Sequence, residues 1–269
     1  INILNRDNTN PGAKSSDFKI MRHWDPIFFV DQLEILANYG VKTIRLSDEM
    51  FFLNKKFYVP VLEEIIKREL KFNMWAYARV DTVREDQLAL FKKAGINWLC
   101  LGIEAGSQVV RRDIEKGRFQ DTNIRQVVKM INEHGINILG NYIFGLPEDS
   151  IKTMNETLDL AMELNTEHAN FYPCQALPGS PLYFEAKKNK WDTPETFEEY
   201  AFFSYECKPL ATNHCSAKEV LEFRDQAWKK YFTNESYLNK IKNKFGEQNM
   251  LNIKEMSKID LKRKILEKK

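Results

Sequence analysis

Long apolar runs are missing from this chain. Nowhere do about 18 apolar residues follow one another, so no membrane-crossing helix is expected, and no signal peptide is visible. Cysteine is scarce, with four in 269 residues. Cys100, Cys174, Cys207 and Cys215 make no disulfide framework, and a reducing cytoplasm is the expected setting. Read with His214, Cys207 and Cys215 match no zinc spacing. Neither sign of charge dominates: 40 Lys+Arg face 38 Asp+Glu, which gives no reason to expect a nucleic-acid partner. A glycine-rich phosphate loop is also lacking, which argues against a nucleoside triphosphate substrate.

What is present is a repeating unit of short strand, turn and amphipathic helix. Strands are expected at Val41–Leu46, Phe72–Ala78, Ile96–Ile103, Ile136–Phe144 and Ala169–Pro173, starting 24 to 40 residues apart. The helices between them carry start and stop signals. Asp25 and Pro26 form an N-cap with proline at the first helical position, and that helix is expected to bury Phe29, Leu33 and Leu36 before Gly40. Thr82 and Glu85 have capping-box spacing ahead of Leu88 and Phe91, with a stop at Gly95. Ile124, Val127, Val128 and Ile131 mark one buried face, ended by Gly135. Ser150 caps a helix expected to bury Ile151, Met154, Leu158 and Ala161. Such alternation predicts an α/β fold with a parallel sheet, either open or closed into a barrel. In both cases ligands bind at the carboxyl ends of the strands.

Polar residues gather at those ends. Asp81 with Thr82, and Asp149 with Ser150, read as helix initiation. Ser47, Asp48 and Glu49 do not, because Met50, Phe51 and Phe52 follow them. Glu104 closes the apolar run "NWLCLGIEAGS" well before the next helix, beside Gly106 and Ser107. After about residue 190 the pattern becomes helical, with aromatic faces at Phe197, Tyr200 and Phe203 and at Phe223, Trp228, Tyr231 and Phe232. These faces read as core rather than as a substrate pocket. The end, "IKEMSKIDLKRKILEKK", reads as a solvated basic helix.

Five stretches in order, "IRLSDEMFFLN", "YARVDTV", "LGIEAGSQVVRRDIEKG", "GINILGNYIFGLPEDS" and "NFYPCQALPGSPLY", resemble the radical S-adenosylmethionine enzymes. The likeness is strongest to members that carry a cobalamin-binding domain. The resemblance covers roughly residues 20 to 190. It implies a partial (β/α)6 TIM-like barrel lacking its first strand over residues 1–190, with a helical extension over 191–269. It also implies the cofactors: S-adenosylmethionine, a [4Fe–4S] cluster and, through an upstream domain, cobalamin. The reaction implied is reductive cleavage to a 5′-deoxyadenosyl radical, used to methylate or rearrange a small molecule, with flavodoxin or ferredoxin as electron donor.

By position, Ser47, Asp48 and Glu49 are implied at the methionyl amino group, and Glu104, with Ser107 near it, at the ribose hydroxyls. A carboxylate accepts two such hydrogen bonds well. The backbone of Phe144 and Gly145 is implied at adenine, where a residue without Cβ suits close approach, with Tyr172 and Pro173 on the same side. Arg79 meets the methionyl carboxylate or the ribose, or else pairs with a structural acid.

The family's CxxxCxxC cluster loop is absent from the chain. Cys100 reads as core, and Cys174 as facing the lumen. Because the chain opens in a polar stretch at Ile1, the expectation is a fragment whose first strand, cluster loop and any cobalamin domain lie upstream. Two rival readings stay open. One is a metal-dependent barrel lyase or hydrolase using Asp48, Glu49 and Glu104. The other is a cofactor-binding scaffold without a cluster.

Overall fold

The computed structural model describes residues 23–113 and 122–267; the polar opening stretch and the last two residues lie outside that range. The barrel elements run α1 (Pro26–Asn38), β1 (Thr43–Leu46), α2 (Lys55–Lys67), β2 (Asn73–Arg79), α3 (Glu85–Lys93) and β3 (Ile96–Glu104). They continue with α4 (Gln108–Asp113), α5 (Ile124–Glu133), β4 (Asn137–Phe144), α6 (Ile151–Leu164) and β5 (His168–Pro173). There follow α7 (Pro181–Lys188), α8 (Phe197–Tyr200), α9 (Ala217–Phe232), α10 (Glu235–Phe245) and α11 (Glu247–Met256).

All five strands pair in parallel and in chain order. Crossovers of one hand then place every connecting helix on the same face of the sheet. Burial alternates accordingly. Met74, Ala76, Ile138 and Phe171 are sealed beneath the helices, while Trp75, Tyr77, Asn141 and Tyr172 stay half-buried on the opposite face. That second face is concave. Parallel strands wound in one sense twist, and the sheet curls toward its uncovered face. The product is the expected α/β partial TIM-like barrel, five strands of a curled half-barrel.

The C-terminal helices pack on this half-barrel through the same core, which runs from Val30 of α1 to Met250 of α11. α9 lies along β5. Its Arg224 Nε donates to the Phe171 carbonyl at 2.8 Å, and its Tyr231 ring meets that of Phe171 edge-on. α10 covers the amino end of the sheet, where Phe245 stacks on Trp98 with 5.7 Å between ring centroids. Between them sits the buried Glu167. It accepts the Ile138 N–H at 2.7 Å and pairs with Lys244 at 2.8 Å and Lys240 at 2.9 Å.

Several local expectations are corrected. Thr82 and Glu85 form no capping box: Thr82 Oγ1 instead donates to the Arg79 carbonyl at 2.9 Å, and α3 starts three residues later without a side-chain cap. Leu36 and Ile151 are exposed, because α1 buries Val30 and Leu33 and α6 turns its first residue outward. The helix α2 was missed in the sequence because Pro60 lies inside it, although Phe57, Val61, Leu62 and Ile65 share one buried face. Pro60 is exposed and costs only one backbone bond, while Asn54 caps the start.

The face expected at Phe197, Tyr200 and Phe203 is not core. α8 is one turn long and Phe197 is 93% exposed. The basic tail is not a solvated helix either. Beyond Met256 only the 3-10 segment Lys264–Leu266 is helical, and Arg263 is buried, with its guanidinium on both Asp225 oxygens at 2.8 and 3.0 Å and on the Phe202 and Ser204 carbonyls. A buried guanidinium needs this full set of acceptors.

Glu167 gives a pH prediction. Burial alone would raise its pKa, but Lys244, the Ile138 N–H and Lys240 outweigh burial and hold it below the ordinary glutamate value. The stability it contributes is therefore complete above that ordinary value and is lost as pH falls through the lowered one. Glu167→Gln is expected to cost about 1–3 kcal/mol at pH 7. In urea unfolding the gap between variant and parent should narrow as pH drops below about 4.5.

Candidate functional site

The end of β3 has a backbone that its sequence would not choose for packing alone. Glu104 has φ +64°, in the left-handed region, and the β3–β4 register shifts between Gly102 and Glu104. The Ala105 N–H turns back to the Ile103 carbonyl at 2.9 Å. A non-glycine residue pays about 1–2 kcal/mol for that conformation. The carboxylate folds over Gly102, where a Cβ would stand 3.0 Å from Glu104 Oε1. Glu104 therefore sits above the concave face at the strand's carboxyl end.

The next residues anchor this turn. Gly106 N–H donates to Thr157 Oγ1 at 2.9 Å, and a Cβ on Gly106 would stand 2.5 Å from the Glu156 carbonyl. Only glycine allows α6 to approach so closely. Ser107 is buried behind the turn, its carbonyl receiving Arg111 N–H as α4 begins.

At the end of β4, Asp149 holds the loop. Its Oδ2 accepts the Gly145 and Leu146 N–H groups at 3.0 Å each, and its Oδ1 accepts Thr153 Oγ1 at 2.7 Å. Burial raises its pKa against these bonds. Ser150 is the α6 N-cap, completed by a capping box with Thr153. Gly145 has φ +83°, and a Cβ there would meet Val220 Cγ1 at 2.4 Å. The physical reason for glycine is thus α9 packed behind it together with the positive φ.

The neighbouring residues separate by face. The ring of Phe144 is fully buried on the outer face, stacked on Phe171. Pro173 is buried on that face too. Tyr172 points to the concave face, where the Phe202 ring stands 5.1 Å away. Ser47, Asp48 and Glu49 are exposed at the end of β1. Asp48 Oδ1 accepts the Met50 N–H at 2.8 Å, fixing the turn into the 3-10 segment Phe51–Leu53. Glu49, Arg79 and Thr82 line one narrow cleft with Tyr77. The Arg79 guanidinium takes the structural acid, both oxygens of Asp81 at 2.9 and 2.7 Å.

Sequence reading missed the concave wall below these ends. Asn170 Nδ2 donates to Asn141 Oδ1 at 3.0 Å, and Asn141 Nδ2 donates to Cys100 Sγ at 3.0 Å. Arg45 donates to Tyr77 Oη and lies over Trp75. The available signal was period two: Arg45, Tyr77, Asn141, Asn170 and Tyr172 hold alternate positions within otherwise apolar strands. A surface groove of about 490 Å³ between α5 and α6, crossed by the Arg125–Glu163 ion pair, lies on the helical side, away from the strand ends.

The thiols do not fit an iron–sulfur cluster. Among the described residues no three His, Cys, Asp or Glu side chains come together to hold a metal. Burial pushes the Cys100 thiol up to about 11 and the Cys174 thiol up to about 12, so both are protonated near neutrality, whereas a cluster needs thiolates. Cys174 is buried beside Asp149 rather than open to the lumen. The same count finds no metal group around Asp48, Glu49 and Glu104. The concave face does fit an organic cofactor: it offers a carboxylate over a glycine, open strand ends and aromatic surfaces.

The model of the Radical SAM superfamily matches residues 12–161, which hold four of the five strands of this half-barrel and Glu104 at the end of the third. The chain belongs to that family. It is 29% identical over 231 residues to the anaerobic magnesium-protoporphyrin IX monomethyl ester cyclase of Rubrivivax gelatinosus, covering 83% of this chain and 40% of that one. It is 30% identical over 161 residues to an uncharacterized methyltransferase of Pyrococcus horikoshii, covering 60% of this chain and 35% of the other. The chain thus spans well under half the length of these relatives. The fold is shared with the radical S-adenosylmethionine methyltransferase TsrM of Kitasatospora setae, at a TM-score of 0.57 and 22% identity over 79% of this chain and 39% of that one. It is also shared with the cobalamin-dependent enzyme OxsB, at a TM-score of 0.58 and 15% identity over 87% and 41%. No helix among the described residues is long and apolar enough to cross a membrane.

The left-handed residue is testable without a ligand. Glu104→Gly is expected to be about 1 kcal/mol more stable than Glu104→Ala, because only glycine relieves the positive φ. Denaturant midpoints compare the two, and equal stability would contradict the turn geometry.

Proposed function

We propose that this chain forms the S-adenosylmethionine-binding half-barrel of a radical S-adenosylmethionine enzyme that methylates or cyclises a small molecule. The observation that carries the reading is Glu104, held left-handed with its carboxylate over Gly102. When bound, S-adenosylmethionine supplies a carbon–sulfur bond whose one-electron reductive cleavage yields the 5′-deoxyadenosyl group.

This chain's residues bind and orient. Glu104 accepts the two ribose hydroxyls, a bidentate arrangement suited to a carboxylate. The exposed Ser47, Asp48 and Glu49 receive the methionyl amino group at the end of β1. The backbone of Phe144 and Gly145, kept in place by Asp149, would hold adenine, with Tyr172 on the same side. Pro173 acts only by shaping the strand end. Arg79, already paired with Asp81, sets the cleft wall rather than carrying the cofactor's charge.

The described thiols are left out of the chemistry, since they do not suit a cluster. Methylation or ring closure is favoured because curated relatives are named as methyltransferases and cyclases. Cobalamin use is supported by the shared fold with TsrM and OxsB, both described with cobalamin. A flavodoxin or ferredoxin as electron donor and a cytoplasmic setting complete the proposal.

The test uses the full-length gene product, purified without oxygen, reconstituted with iron and sulfide, and given S-adenosylmethionine and dithionite. Formation of 5′-deoxyadenosine is expected, with Glu104→Ala lowering it at least tenfold through weaker S-adenosylmethionine binding. No 5′-deoxyadenosine from protein that carries its cluster would overturn the reading.

A further inference from the structure

The concave wall holds a cation that the cofactor reading does not use. Arg45, on β1 at the edge of the described sheet, points to this face with its guanidinium 4.6 Å from the Trp75 ring centroid and 5.4 Å from that of Tyr77. One of its N–H groups donates to Tyr77 Oη. Among the described residues no carboxylate pairs with it. Arg68, Arg79, Arg84, Arg125, Arg224 and Arg263 each have one, whereas Arg111 of α4, away from this face, has none either. A guanidinium has five N–H donors in a planar fork. Stacking on Trp75 fixes the plane and leaves the donors at its edge for an oxyanion, which the fork binds through two parallel bonds.

Two further charged groups on this side, Arg79 and Glu104, stand at the strand ends, where Asp81 takes the Arg79 guanidinium. Asn141 and Asn170 are occupied with each other and with Cys100. Trp75, Tyr77 and Tyr172 present ring surface around the space between β1 and β5, where the charge of Arg45 is felt at both Cys100 and Tyr172. Such a wall rewards a flat, unsaturated body through ring contacts worth about 0.5–1.5 kcal/mol each, with one point of charge recognition at its side.

We infer that Arg45 is a specificity-determining residue of the substrate site and that the substrate is a planar unsaturated molecule carrying a carboxylate. The carboxylate lies on the Arg45 fork, and the ring system lies between Trp75, Tyr77 and Tyr172. This deepens the function proposed above and rests on it. Arg45 precedes Leu46, the last residue of β1, and faces the wall while Leu46 faces the core; Glu104 and Ser47 to Glu49 mark the strand ends.

The test is binding of two probes that differ only in charge, 2-naphthoate and 2-naphthamide. They are titrated into the full-length protein and followed by the indole N–H signal of Trp75, assigned with Trp75→Phe. The acid is expected to shift this signal saturably and to bind at least tenfold more tightly than the amide. Arg45→Gln should bring the acid down to the level of the amide, Arg45→Lys should keep part of the preference, and Arg125→Gln on the outer surface should change nothing. The acid–amide comparison in the parent chain needs no variant to fold.

Equal binding of acid and amide, no saturable shift with the acid, or an undiminished preference in Arg45→Gln would each overturn the assignment. S-adenosylmethionine binding is measured separately on the full-length protein. If it is retained while the acid preference is absent, the assignment of Arg45 fails alone. If S-adenosylmethionine does not bind, the cofactor reading fails, and the assignment to a substrate fails with it.

Discussion

The constraint on which the structure depends is one-sided burial. Five parallel strands threaded in chain order put all their connecting helices on one face. The core can then form only between that face and the helices, and the other face must be lined by residues that tolerate water or a ligand. Every strand carries two sequences interleaved at period two. Leu99, Leu101 and Ile103 serve the core, while Trp98, Cys100 and Gly102 serve the concave face. Curling brings the second set together across the sheet, and strand ends far apart in sequence come to border one space.

The C-terminal helices make this half-barrel rigid where it is used. α9 backs the β4 loop so closely that Val220 leaves no room for a Cβ on Gly145. Asp149 fixes the same loop from inside, and α6 holds Gly106 at the end of β3. The two loops that border the proposed cofactor position are therefore both clamped by helices. α10 closes the opposite end through Phe245 on Trp98 and through the Glu167 pairs. The Asp225–Arg263 pair ties the last segment to α9. α9, α10 and α11 brace the barrel, and their core is continuous with the barrel's.

Much of this was legible in sequence for definite reasons. The five strands stood out because they are short apolar or alternating runs bounded by turn residues. Glu104 stood out because a carboxylate at the end of such a run has no packing role. Its left-handed backbone was not legible, since a φ angle on a glutamate leaves no mark in composition. Gly145 was visible as a glycine, but its cause, a valine 75 positions later, is a tertiary contact. The fork on Arg45 was hidden because one arginine in a four-residue strand reads as an edge charge. Arg263 was misread for the opposite reason: among many lysines, nothing marked the one cation that would be buried with Asp225.

The central claim is that the strand ends around Glu104 and Gly145 form the cofactor site. The most direct measurement is amide hydrogen exchange of the full-length, cluster-reconstituted protein with and without S-adenosylmethionine. The account predicts added protection over residues 102–107 and 144–148, with the outer groove between α5 and α6 unchanged. Protection confined to that outer groove, or none at the strand ends at saturating S-adenosylmethionine, would contradict it.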